Sequence, residues 1–474
     1  MMINVVMNRI IYFLFLIFLV SCDNTENQQL TYIKGFLPNT KEKVVILYEN
    51  DKAIDSITLD ENKKFLLEMD IKEETLYNIE IDHQYVYVYV EPKDSLVFTG
   101  NISNLSESLS FSGKGANINN FMLSQWIENE KVTAFIKRNN ALEPIEFKKK
   151  IDSIYEQKLQ HYQLFVEENP SLSKNAKKIA LVSATYPLFR EVESYPFIYQ
   201  RNSNNSVANS LPKDFYNHRD FIEFDNSSLE YYRPYYSYMV MLINNLTFKK
   251  YNLTHNAPDI NKDEEFHLKK IQIIDSLFPS GMMRDNLYRN AAYAYIFNIQ
   301  NKQDCQCYME EFYKYNEKNI HKAELEQVFI RTIDLQKGRT PPEFEIIDLD
   351  GNYYKLSNIV RPKVTVVYFW SVNQREMSNL IFNRILQLKE LFPNVEFIGI
   401  DVGQNVSEWC NTVFTSSNRL VGQQFHSTNF DDLSRKLLIN NISKTLIISE
   451  DYSIISAFEN IFSPNVERFL VLGE

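Results

Sequence analysis

Hydrophobic positions along this 474-residue chain change their period three times. An uninterrupted apolar run, Ile10 to Val20, comes first, preceded by the single charge of Arg9. Short alternating segments follow at 31–36, 43–48, 53–59, 65–71, 76–81, 85–90 and 95–99, separated by turn residues such as Asp60-Glu61-Asn62 and Pro92-Lys93-Asp94. Strands of this length and spacing predict an antiparallel sandwich or barrel over 30–116. From 117 to 337 apolar residues recur at helical spacing, clearest at 145–166, 264–277, 287–299 and 323–335. From 338 onward strand and helix patterns alternate, which predicts an α/β domain over 338–474.

The stretch 363–392 organises that last region. Its first seven residues are rich in Val, Tyr and Phe and read as a buried strand ending at Trp370. Four residues later Met377, Leu380, Ile381, Ile385, Leu386 and Leu388 begin a helical pattern. A strand, a short turn and a helix N-terminus form a unit that favours anionic or nucleophilic groups at the turn. A hairpin-turn signature, Asp350-Gly351, precedes the strand. Further strands are expected at 395–401, 445–449 and 454–458, with helices at 405–414, 430–438 and 464–470.

Composition narrows the chemistry. Only 11 glycines occur, and neither a GxGxxG nor a GxxxxGK[ST] phrase is present, which excludes the usual phosphate-cradling loops. The net charge of −11, without a basic cluster, argues against nucleic acid as a partner. No cofactor and no metal site is implied: the Cys305-Gln306-Cys307 pair has no matching His or Cys pair at ligand spacing.

The ending Leu19-Val20-Ser21-Cys22 resembles the bacterial lipobox. That resemblance implies a signal peptide at 1–21, lipid attachment at Cys22, a polar tether at 22–29, and a lipid-anchored place in the cell envelope, at the outer membrane facing the periplasm. Ala53-Ile54-Asp55-Ser56-Ile57-Thr58-Leu59 and Phe111-Ser112-Gly113-Lys114-Gly115-Ala116-Asn117 are similar to the β-rich domain that precedes a thioredoxin domain in many Bacteroidetes lipoproteins.

Gly338-x-x-Pro341-Pro342-x-Phe344, Asp348-x-Asp350-Gly351, Pro362-Lys363, Phe369-Trp370 and Ile398-x-Ile400-Asp401 resemble, in that order, the TlpA/ResA branch of the thioredoxin fold, related to the AhpC/TSA group. The expected architecture is therefore multidomain: an N-terminal antiparallel β-sandwich or barrel, a central α-helical region, and a C-terminal α/β thioredoxin-like fold.

In that family the turn after the strand carries a CxxC pair and faces a cis-proline. The matching positions are read as Ser371, Gln374 and Ser443, so the resemblance implies a degenerate thiol–disulfide oxidoreductase, since a hydroxyl neither forms nor breaks a disulfide. The Ile442–Ser443 bond is expected to be trans. The resemblance further implies a groove lined by Trp370, Asn373, Gln374, Ser443 and Lys444 that binds an envelope peptide or protein segment. Two other readings stand beside it. In one, Cys305, Cys307 or Cys410 performs residual redox work, with Cys305/Cys307 alternatively a structural disulfide. In the other, the β-rich and helical regions carry a structural role.

Overall fold

The computed structural model describes residues 30–473 apart from 41–42, 82–83, 140, 204–209, 225, 253–262, 279, 300–301, 404 and 416–421. The signal segment, Cys22 and the tether lie outside the described residues. The chain divides into two compact units, Met1–Asn245 and Leu246–Glu474.

The first unit begins with β1 (Thr31–Phe36), β2 (Val44–Glu49), β3 (Lys52–Thr58), β4 (Lys64–Met69), β5 (Thr75–Ile81), β6 (Gln84–Val90), β7 (Ser95–Thr99) and β8 (Ser110–Lys114). They form two four-stranded sheets in the orders β4-β1-β7-β8 and β3-β2-β5-β6. Every pairing is antiparallel except β1 with β7. Alternation explains the core between them. Val86, Val88 and Val90 point inward with Ile33, Leu47, Ile79, Leu96 and Phe98, all buried. The eighth strand escaped the sequence pattern because Ser-Phe-Ser-Gly-Lys turns only Phe111 into the core. Its Gly113 has φ 88°, and a Cβ there would meet Ser95 O at 2.1 Å, so glycine is required for β7 to come this close.

Four long helices follow: α1 (Ala116–Arg138), α2 (Pro144–Glu168), α3 (Lys174–Ser203) and α4 (Arg233–Asn252), the last continuing past the unit boundary. The Tyr-rich start of α4 packs on α3, with Tyr186 5.1 Å from Tyr238 and 5.7 Å from Tyr235 between ring centres. Two prolines, Pro187 and Pro196, lie inside α3. The first half of the helical stretch 117–337 falls in the same compact unit as the sandwich.

The second unit contains α5 (Glu264–Leu277), α6 (Met282–Ile299), α7 (Lys302–Asn316) and α8 (Lys322–Asp334), and then an α/β domain. The latter comprises β9 (Glu345–Ile347), β10 (Tyr353–Lys355), β11 (Thr365–Trp370), α9 (Arg375–Leu391), β12 (Glu396–Asp401), α10 (Val406–Thr415), β13 (Gln423–Ser427), α11 (Phe430–Leu437), β14 (Thr445–Ile448), β15 (Ile454–Ser456) and α12 (Asn465–Gly473). Its seven-stranded sheet has the order β10-β9-β13-β12-β11-β14-β15. All six residues of β11 are buried, as expected of a central strand covered on both faces. Strand β13 is absent from the sequence reading, because Gln-Gln-Phe-His-Ser carries one aliphatic or aromatic core residue and no alternation. Among the described residues no helix is long and apolar enough to cross a membrane.

Candidate functional site in the α/β domain

Strand β11 delivers the chain to the centre of the sheet edge, where Ser371-Val372-Asn373-Gln374 turns it into α9. The turn is held from below by one carboxylate. Asp401, at the end of β12, is fully buried, and its oxygens accept the Val372 N–H (3.1 Å) and the Gly403 N–H (3.2 Å). The same carboxylate meets His426 Nδ1 of β13 at 2.8 Å. His426 in turn lies against Trp409, ring centres 5.4 Å apart. A buried anion with three donors is satisfied rather than reactive. Sequence reasoning missed His426 because it sits on the unrecognised strand; Asp401 was visible only as the end of an apolar run.

Ser371 is 3% exposed. Its N–H is received by Ser378 Oγ (3.0 Å), whose own hydroxyl donates back to Ser371 O (2.9 Å). Its own Oγ accepts the Asn373 N–H at 3.2 Å, a backbone donor and not a base. Ser371 therefore closes the turn. It does not stand at the helix N-terminus, where backbone N–H groups would activate a nucleophile. That place belongs to Gln374, the N-cap of α9, and to Met377 three residues on. Gln374 belongs to the expected pair, and Met377 lies one helical turn beyond it. Neither is a cysteine, and none occurs between Cys307 and Cys410.

The expected groove is also rearranged. Asn373 and Gln374 are exposed, but Trp370 is completely buried and Ser443 and Lys444 are 7% exposed each. The Trp370 indole N–H donates to Gln424 Oε1 (3.1 Å), and Gln424 Nε2 donates to the Tyr368 hydroxyl (2.8 Å). Gly399 makes room for this relay, since a Cβ there would meet Gln424 Oε1 at 2.3 Å. Trp370 is a core residue because its strand is central, so it cannot face a ligand.

Ser443 is bound to its own hairpin: its hydroxyl donates to Asn441 and accepts from Asn460 Nδ2 (2.7 Å), and its carbonyl accepts the Ile461 N–H (2.7 Å). Lys444 Nζ donates to Leu438 O at 3.1 Å and lies 4.8 Å from the centre of the Phe458 ring. Burial without a carboxylate pulls its pKa down to about 7. The described residues contain no cis peptide bond, and the Ile442–Ser443 bond is trans as expected. The surface at the start of α9 carries Asn373, Gln374, Arg375, Glu376, Met377 (39% exposed) and Leu380 (54% exposed).

None of the three described cysteines is in a disulfide. Cys305 and Cys307 both lie on α7, two positions apart, so the helix turns their side chains about 200° from each other. Cys305 is buried and Cys307 exposed, and neither is in a disulfide. The structural disulfide considered above is therefore excluded by the helix that carries it. Cys410 lies on α10, half-buried against the domain core and also unbridged. Among the described residues, no group of three His, Cys, Asp or Glu side chains is placed to hold a metal ion.

Residues 362–454 match the thioredoxin-like family. The C-terminal domain is thioredoxin-like. Residues 31–152 match a second family, described as a domain of unknown function, DUF4369. Among solved structures the chain is similar to the thioredoxin domain of a thiol-disulfide oxidoreductase from Bacteroides vulgatus, at 18% identity and TM-score 0.25, covering 29% of this chain and 99% of that one. It is also similar to a thiol:disulfide interchange protein from a Bacteroides species, at 16% identity and TM-score 0.25, covering 29% and 93%. A thioredoxin-like protein from Bacteroides caccae aligns at 10% identity and TM-score 0.33 over 54% of this chain and 90% of that one. No curated protein matches the chain.

Proposed function

We propose that the chain is a lipid-anchored protein of the bacterial cell envelope, attached through Cys22 at the outer membrane and facing the periplasm. In this reading its thioredoxin-like domain binds a peptide or protein segment and carries out no thiol–disulfide exchange. One observation carries the proposal. The N-terminus of α9 bears Gln374 and Met377, while the turn before it keeps its supporting hydrogen bonds through Asp401. Disulfide exchange needs a thiolate to attack and a second thiol to resolve, and the turn offers neither. Fold alone does not confer the activity. The exposed pair Met377 and Leu380, one helical turn apart beside the polar Asn373 and Gln374, suits a contact made by an apolar side chain of an extended segment.

Two measurements test this. The mature protein is expected to leave the rate of insulin disulfide reduction by dithiothreitol unchanged; acceleration that disappears in Cys410→Ser or Cys307→Ser would restore the oxidoreductase reading. Cys22→Ala is expected to move the protein from the membrane to the soluble fraction of the envelope, and a variant that stays in the membrane would remove the anchor.

A further inference from the structure

The first unit holds a cavity of about 890 Å³ between the β3-β2-β5-β6 sheet and helices α1, α3 and α4. Its size lies within the range of small-molecule sites, roughly 300–1,000 Å³. The wall begins with the tyrosines of β6. Tyr89 is covered, Tyr87 is half-buried against Tyr232 (ring centres 5.0 Å apart, nearly perpendicular), and Tyr85 is 55% exposed. One face of a single strand thus runs from packed core to open surface. Opposite, α1 presents Trp126, 42% exposed.

The hydroxyl groups of these rings are already used by the protein. Tyr48 donates to Glu80 (2.7 Å), Tyr87 donates to Tyr231 O (3.1 Å) and accepts the Arg233 N–H (3.1 Å), and Tyr232 pairs with Ser183 Oγ (2.6 Å). What they turn to the cavity is therefore ring surface. Two lining amides differ. Asn78 Oδ1 and Asn129 Oδ1 are shielded from water and have no hydrogen-bond partner in the protein. The cause at Asn129 is local: Pro187 has no N–H, which leaves Ser183 O outside the helix ladder, and Asn129 Nδ2 donates to it at 2.8 Å. That bond fixes the amide and leaves its oxygen unmatched. Both amides line the cavity, and a hydroxyl that reached either oxygen would supply the missing donor.

Charge along the wall is balanced. Glu130 and Asp51 line it together with Lys137 and Arg233, while Arg190 is paired with the buried Glu191 at 2.6 Å. Such a lining does not select a strongly charged ligand. Ring faces for stacking, unmatched acceptors that need O–H donors and a neutral balance together describe one chemistry. We propose that this cavity binds a neutral short oligosaccharide, its apolar ring faces on Tyr85, Tyr87 and Trp126 and its hydroxyls donating to Asn78 and Asn129.

The test uses the full mature chain and maltotriose, cellotriose and xylotriose as probes, read by tryptophan emission. Of the three tryptophans only Trp126 lines the cavity, and Trp370 and Trp409 are completely buried elsewhere, so a change that follows the sugar reports Trp126. At least one trisaccharide is expected to give a saturable change with a Kd of about 1 mM or tighter. Trp126→Phe should remove the change, and Tyr85→Ala and Asn129→Ala should each weaken binding about tenfold. Tyr85 is exposed, so its variant folds normally and keeps the test valid if Asn129→Ala does not fold. The proposal is overturned if none of the three sugars saturates by about 10 mM, if Ala-Leu-Ala saturates where they do not, or if binding survives Tyr85→Ala undiminished.

Discussion

The two units differ in how their buried lysines are partnered. In the first, charge is matched by charge. Glu193 is completely buried and meets Arg219 through both oxygens (2.8 and 2.5 Å) and His218 at 2.9 Å, while Asn245 donates to its backbone carbonyl at 2.7 Å. Lys158, 1% exposed, reaches Glu128 at 3.2 Å. In the second unit two lysines are buried against aromatic rings with no carboxylate salt bridge: Lys444 near Phe458, and Lys270, 6% exposed, with Nζ 5.6 Å from the centre of the Phe266 ring. Burial alone pulls their pKa values down to about 7 and about 8. Matched charges lock a fold together, whereas unmatched lysines make stability depend on pH. The same contrast separates the candidate sites: the thioredoxin-like turn has its polar groups satisfied internally, and the aromatic cavity does not.

The largest expected effect breaks the matched network. Arg219→Ala leaves Glu193 buried beside a single His and should cost about 3–5 kcal/mol. Chemical denaturation followed at Trp126 would report it, and a loss under about 1 kcal/mol would mean that the network is not what holds α3 and α4.

The second prediction concerns the unmatched lysines. A lysine whose folded pKa lies below its unfolded value keeps fewer protons when folded, so stability rises with pH between the two values and is flat below the lower one. The C-terminal domain should therefore gain about 1.4 kcal/mol per pH unit from Lys444 between about pH 7 and 10. Lys444→Met should abolish that part of the slope and raise stability at pH 7; denaturation monitored at Trp370 and Trp409 distinguishes this from an unchanged slope.

Asp401→Asn is expected to have a smaller effect, about 1–3 kcal/mol, because the neutral amide can still accept one of the two N–H groups but loses the charge that holds His426. Faster amide exchange at Val372 and Gly403 would locate the loss in the turn. Smallest is Met377→Asp, within about 0.5 kcal/mol on stability since the residue is exposed. On the reading proposed above it should nevertheless reduce recovery of envelope proteins on the immobilised mature chain. Unchanged recovery would move binding away from the start of α9.

Local pattern carried much of the architecture. The first seven strands and the β11–α9 unit are each visible within a few residues, because side-chain period and helix capping are local properties. Less legible were β8, which buries only Phe111, and β13, which buries Phe425, His426 and Ser427 in a row without alternation; both are held by neighbours contributed from elsewhere in the chain. The Cys305–Cys307 disulfide failed as soon as both residues were placed on one helix, since sequence proximity is not Cα geometry.

The sequence by itself determined which groups are available: no thiol between Cys307 and Cys410, two Asn and a row of Tyr beside the sandwich, a Pro inside α3. Only the tertiary structure decided which of them meet solvent. Trp370 reads as a groove residue until β12 and β14 flank its strand, and Lys444 reads as a surface cation until its hairpin folds under Phe458. Likewise Tyr85, Tyr87 and Tyr89 form one row in sequence, and helices packed over one end divide them into core and cavity wall. Periodicity tells which side chains share a face; what covers that face depends on residues far away along the chain.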